Sequence, residues 1–138
     1  TAGVSEAEQQ LAQQVMSAAG LVLWVDDEDL LHAVTAISGS APAYFFYMLE
    51  NMIATGEKLG LTQTQATALA MQTALGSAQM ALTSHDTPAE LRRKVTSPNG
   101  TTQAAIEVMD AKKMHQIIAD AMLACEQRSR ELSQAFGK

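Results

Sequence analysis

Apolar positions recur three and four residues apart over most of this chain, so it reads as a succession of helices separated by short breaks. Ser5-Glu-Ala-Glu8 is a capping box, and behind it Ala7, Leu11, Val15 and Ala18 fall on one helical face. Gly20 closes that helix, and Leu21-Val-Leu-Trp-Val25 is a short apolar run with strand character. Asp26 or Asp27 can cap a helix from Glu28 to Ile37 that turns Leu30, Leu31, Val34 and Ile37 inward. Ser38-Gly-Ser-Ala41 breaks it, and Pro42 suits the first turn of the next helix, which runs to about Leu59 with Gly60 as its stop. Thr62-Gln-Thr-Gln65 opens a long helix to about Thr83, and Thr87-Pro-Ala-Glu90 pairs a cap with a first-turn proline. Val95 to Thr102 cannot continue a helix, because Pro98 pushes Ser97 out of the helical region and Asn99-Gly100 tolerates positive φ. Thr101 and Thr102 then open a helix from Gln103 to about Met109, and a last helix spans Met114 to Phe136, closed by Gly137.

The distribution of charge changes this picture. From Leu59 through Ser84 there is no Asp, Glu, Lys or Arg, and the helix inside that stretch is rich in Ala, Met and Leu on nearly every side. A single domain of 138 residues seldom buries a helix all round, so the stretch points to subunit association. Gln65, Gln72, Ser77, Gln79 and the many alanines argue against a membrane span. The net charge of −6 disfavours nucleic acid and anionic membrane as partners. The single cysteine, Cys125, excludes an intrachain disulfide, fits a reducing compartment and is expected buried and inert in its apolar helix. No secretory leader or internal repeat is visible, and Thr1 reads as part of a loop.

Little catalytic apparatus can be assembled from spacing alone. His32, His85 and His115 are scattered, read as surface or capping residues, and no metal site is expected. No GxGxxG follows a strand, so the dinucleotide fingerprint is missing. What remains is the 95–102 stretch. A helix that starts at two threonines offers unpaired N–H groups, hydroxyls and a positive dipole end, which suits a small anion. A hydroxyl-capped helix start after a turn is the plainer reading of the same residues.

Ala33-Val-Thr-Ala-Ile-Ser-Gly-Ser-Ala-Pro-Ala-Tyr44 and Val95-Thr-Ser-Pro-Asn-Gly-Thr-Thr102 together resemble the two signature stretches of pyrroline-5-carboxylate reductase, AVTALSGSGPAY and VTSPGGTT. The likeness runs from Val4 to Leu132 but covers only the C-terminal part of a complete enzyme of that family. It implies an all-α helical bundle forming an interlocked dimer, with higher assemblies of dimers open to it. Residues 1–26 would then be a remnant, one helix and one short strand, of a Rossmann-type cofactor domain, and residues 27–138 the dimerisation and substrate domain. The start at Thr1 then reads as that of a fragment, expected to be inactive alone. The activity implied is reduction of 1-pyrroline-5-carboxylate to L-proline with NADPH or NADH, the last step of proline biosynthesis, in the cytoplasm.

By the same resemblance the Ser97 hydroxyl and the N–H groups of Thr101 and Thr102 bind the ring carboxylate, and Gly100 allows close approach. The Thr102 hydroxyl faces the ring nitrogen as the catalytic group. Glu28 matches an acidic position near the imine cation, although it can equally cap its own helix. Lys94, with Arg92 and Arg93, can draw a cofactor phosphate, and Ser38 and Ser40 can line the floor of the site. The main cofactor site lies outside this chain, and no cofactor is expected on it. Ala41 and Asn99 replace glycines of the pattern, and asparagine is the non-glycine residue best suited to positive φ. Two other readings compete. A β-hydroxyacid dehydrogenase domain needs a G-x-x-x-N-x-x-K pattern, and Lys58 follows Gly56 without the asparagine. A helical oligomerisation module would use the threonine-rich loop for structure alone.

Overall fold

The computed structural model describes residues 3–136, so the expected stop at Gly137 and the loop at Thr1 lie outside the described residues. Seven α-helices follow one another: α1 (Glu6–Ser17), α2 (Leu31–Val34), α3 (Ala41–Lys58), α4 (Gln63–Thr83), α5 (Pro88–Lys94), α6 (Thr101–Ala111) and α7 (Met114–Phe136). All three capping boxes form. Ser5, Thr62 and Thr87 each accept from the third residue of their helix, whose side chain returns to the cap N–H.

The segment Glu28–Gly39 is one helical run of three pitches: a 3-10 turn at Glu28–Leu30, α2, and a π-turn at Thr35–Gly39. Asp27, not Glu28, caps it, accepting from the Asp29 N–H at 2.9 Å. The break expected at Ser38–Ala41 shrinks to one residue. Ser40 keeps a right-handed conformation and donates its N–H to Thr35 O at 2.8 Å, an i to i−5 bond. Two causes lie in the sequence: Pro42 cannot donate back into the ladder, and the Thr35 and Ser38 hydroxyls bond the carbonyls of Leu31 and Val34. Ala41 begins α3 in ordinary backbone, since Asn99 and Lys113 are the non-glycine residues with positive φ among those described. The glycine it replaces is therefore not required for φ.

One expected element is absent. Leu21–Val25 forms no strand, because a strand exists only against a partner and no described residue supplies one. Leu21 is 87% exposed, and Trp24 Nε1 donates to Gln13 Oε1 on α1 at 2.5 Å. The principal packing pairs leave α1 out: α3 packs on α4, the 28–39 run packs on α7 and α3, and α6 packs on α7.

The interior is thin. The buried hydrophobic residues are four alanines, Ala36, Ala41, Ala66 and Ala70. Ala66 and Ala70 lie at the α3–α4 seam, where a Cβ on Gly56 would sit 3.0 Å from the Ala66 Cβ. The residues expected to face inward are largely exposed, among them Leu11, Val15, Leu30, Leu31, Val34 and Ile37. Leu75 in the charge-free helix is 63% exposed, and Phe45, Tyr47, Met48 and Met52 stand open on α3. The accessible surface is 11,324 Å² for 14.7 kDa. A compact monomer of that mass would expose about 6,900 Å². The apolar faces are therefore real, but no described residue covers them.

Candidate functional site

α5 is finished by its own side chains. Thr96 Oγ1 donates to Arg92 O at 2.6 Å and Thr96 N to Arg93 O at 3.1 Å, which turns the chain out of the helix. A tight turn follows in which Gly100 N donates to Ser97 O at 3.0 Å, with Asn99 at φ 58°. Asn99 N donates to Gln103 Oε1 at 2.7 Å, and Gln103 Nε2 in turn donates to Glu107 Oε1 at 2.7 Å. The loop is thereby laced to the helix it precedes. Gly100 itself has φ −87°, so its freedom at positive φ is not used; a Cβ there would meet Ser97 O at 3.1 Å.

α6 begins at Thr101, two residues earlier than expected, because the extended Gly100 already serves as its N-cap. No side chain caps it. Neither threonine is the cap that the plainer reading required. Ala104 N closes the first intrahelical bond, to Gly100 O. The N–H groups of Thr101, Thr102 and Gln103 are thus left at the open end, with no acceptor among the described residues. The hydroxyls of Ser97, Thr101 and Thr102 likewise make no hydrogen bond among the described residues, and all three residues are exposed. Ser97, Gly100, Thr101 and Thr102 therefore converge on one open helix end with spare donors and a positive dipole.

The other candidate residues lie on other elements, and all but Glu28 have partners there. Lys94 Nζ is 2.5 Å from Asp86 Oδ2. The Lys94 ammonium, with lesser help from Ser84, holds the Asp86 carboxyl below its ordinary range. Ser38 donates to Val34 O, and Ser40 accepts from Cys125 Sγ at 3.2 Å. Cys125 is half-buried, not sealed in, and hydrogen bonding to Ser40 draws its pKa down. Glu28 is exposed at the start of its turn and makes no side-chain hydrogen bond among the described residues. It sits on the 28–39 run, and α7 is the element on which both that run and α6 pack. His32 is tied to Ser129 of α7, Nδ1 to Oγ 2.8 Å. Asp86 was missed by sequence reasoning, since its partner lies eight residues away in the next helix and no single periodicity joins them. Gln103, the residue that laces the loop, was also missed, although an amide side chain one turn into a helix is a signal for such a tie.

No group of three His, Cys, Asp or Glu side chains among the described residues could hold a metal ion. No described helix is long and apolar enough to cross a membrane. Lys94, Ser38 and Ser40 each have a partner within the chain: Asp86, the Val34 carbonyl and Cys125.

A family model described as pyrroline-5-carboxylate reductase dimerisation matches residues 28–132. The chain belongs to that family. The pyrroline-5-carboxylate reductase of Pseudomonas aeruginosa is 53% identical over 137 residues, which is 99% of this chain and 50% of that protein. The solved pyrroline-5-carboxylate reductase of Coxiella burnetii superposes with a TM-score of 0.91 at 40% identity, over 96% of this chain and 49% of that one. The Plasmodium falciparum pyrroline carboxylate reductase, solved with NADP bound, shares the fold with a TM-score of 0.88 at 24% identity, over 95% and 50% of the two chains. The chain spans about half the length of the relatives it matches. Membership removes the β-hydroxyacid dehydrogenase reading; Lys58, its one candidate acid/base, is the last residue of α3.

Proposed function

We propose that this chain is the dimerisation and substrate-holding part of a cytoplasmic reductase that converts 1-pyrroline-5-carboxylate to L-proline with NADPH or NADH, completing proline biosynthesis. The observation that carries the reading is the uncapped start of α6, with three N–H groups and three hydroxyls left without protein partners. These groups are open to solvent, so water satisfies them in the free chain; gathered at one positive helix end, they are placed to exchange that water for an anion. A carboxylate fits that point by charge and by size.

The Ser97 hydroxyl and the Thr101 and Thr102 N–H groups take the ring carboxylate, and Gly100, whose missing side chain leaves room against the Ser97 carbonyl, allows its close approach. The Thr102 hydroxyl serves the ring nitrogen, and Glu28 lends negative charge near the imine cation. A protonated imine is already electrophilic, so the work asked of these residues is orientation. The dinucleotide is held by residues outside this chain, and the chain alone is expected to lack reductase turnover.

A homodimer supports the same reading. The exposed apolar faces of α3 and α4 are the surface a second copy would cover about a two-fold axis, and assemblies of such dimers are compatible with it. An oligomerisation module without catalysis is the second reading, favoured by a core of four alanines. Titrating the isotope-labelled chain with L-proline separates the two. Shifts centred on the Thr101 and Thr102 amides, lost with N-acetyl-pyrrolidine (no carboxylate), are the expected result. An unperturbed loop at millimolar proline would leave only the oligomerisation module.

A further inference from the structure

The run from Glu28 to Gly39 has little apolar burial to hold it. Ala36 is its buried residue, while Leu30 and Leu31 are 49% and 48% exposed. Its strongest side-chain ties are polar and come from α7. Arg130 Nη1 meets Asp29 Oδ2 at 2.5 Å, across 101 residues of chain. Arg130 Nε binds Glu126 on its own helix, and the neighbouring Ser129 Oγ lies 2.8 Å from His32 Nδ1. Asp29 and His32 are three residues apart on one face, and Ser129 and Arg130 are adjacent. Two ties side by side fix the rotation of the turn as well as its position.

Isolated surface ion pairs hold little. This one differs in geometry. The Arg130, Glu126 and Asp29 side chains are 36%, 24% and 59% exposed, and with Nε on Glu126 the guanidinium plane is set while Nη1 reaches Asp29. The Arg130 hydrogen bond also keeps the Asp29 carboxyl below its ordinary range, in keeping with a formed pair. Glu28 immediately precedes Asp29, and with no side-chain partner among the described residues its place is set by the backbone.

We propose that Arg130 is a positioning residue: by gripping Asp29 and Glu126 together it sets where the Glu28 carboxylate stands relative to α7, the helix that also supports α6 and its 97–102 loop. The inference rests on the reductase reading and on the role given there to Glu28. Lysine cannot replace arginine here, since a single ammonium cannot offer the planar fork that serves both carboxylates.

The test is a double-mutant cycle in the full-length enzyme carrying this chain, comparing Arg130→Gln, Glu28→Gln and the double variant. Each single change is expected to lower kcat about five- to tenfold, with KM for pyrroline carboxylate within about twofold, because the carboxylate loop is untouched. The double variant should be no slower than the slower single one, and Arg130→Lys should recover less than half of the loss. Asp29→Asn breaks the same tie from the other side and should reproduce the Arg130→Gln kinetics, even if Arg130→Gln folds poorly. Independent, multiplying losses would overturn the inference, as would a lowered melting temperature with kcat per folded enzyme unchanged. An active enzyme with wild-type kcat in Arg130→Gln sinks the inference alone. A full-length protein with no reductase activity sinks the proposed function and takes the inference with it.

Discussion

The Val95–Thr102 loop and helix α4 are separated only by α5, yet they take their shape from opposite sources. The loop is closed by bonds within itself and its flanks: Thr96 to Arg92, Gly100 to Ser97, and Gln103 back to Asn99. α4 has a good N-terminal box but touches the rest of the chain mainly along α3, and its outward leucines and methionines face nothing. The loop should therefore keep its form wherever the chain goes. The helix should keep its form only where a second surface covers it. A change in the loop should touch ligand and leave the fold intact, whereas a change on α4 should remove the fold and with it everything else.

The largest effect is expected from Leu75→Glu. In one chain this side chain is 63% exposed, and a surface charge there would cost almost nothing. Covered by a second copy it becomes an unpaired buried charge, costing more than about 4 kcal/mol. Circular dichroism should show loss of helix, with no stable folded monomer left behind; a folded monomeric variant would erase the contrast between the two regions. Next comes Gly56→Ala, which tests the one seam α4 does form within the chain. The new Cβ would stand 3.0 Å from the Ala66 Cβ, and forcing the helices apart should cost about 1–3 kcal/mol. This is offset by the roughly 1 kcal/mol alanine gains over glycine within a helix, so a small drop in melting temperature is expected. An unchanged melting temperature would mean that the α3–α4 seam is looser than it looks.

Thr102→Ala addresses the loop side. Its hydroxyl caps nothing, so the melting temperature should hold, while kcat/KM of the full-length enzyme falls by about 1–3 kcal/mol in transition-state binding. The reverse outcome, lost stability with normal kinetics, would make the threonine structural. The smallest effect belongs to Asp86 and Lys94 at the foot of the loop. The folded-state pKa of Asp86 is depressed below 3.8, mainly by Lys94, so the pair's contribution is present above that pH and is lost as pH falls through the folded value. Lys94→Met should therefore lower the melting temperature slightly at neutral pH and not at all in strong acid. A deficit that persists at the lowest pH would show that Lys94 acts by packing.

The same division explains what the sequence allowed to be read. Ser5 with Glu8, Thr62 with Gln65 and Thr87 with Glu90 are legible because both members of each pair lie within one turn. The positive φ at Asn99 is legible for the same reason: the residue type and its neighbours suffice. The π-turn at Thr35–Gly39 is harder to read: Pro42 and the Thr35 and Ser38 hydroxyls favour it locally, but the same residues also suit a plain helix break. The strand expected at Leu21–Val25 rests on a continuous apolar run and the inward faces of Leu30 and Ile37 on helical spacing; both patterns say that a face will be covered, not by whom. At the site, α6 starting at Thr101 instead of Gln103 changes the chemistry most, since it turns two supposed caps into free donors.

If a second copy completes this chain's core, light scattering on the purified chain shows it most directly. A folded species at twice the 14.7 kDa chain mass, or a multiple of it, persisting down to micromolar concentration is the result predicted. A well-folded, cooperative monomer at that concentration would contradict it.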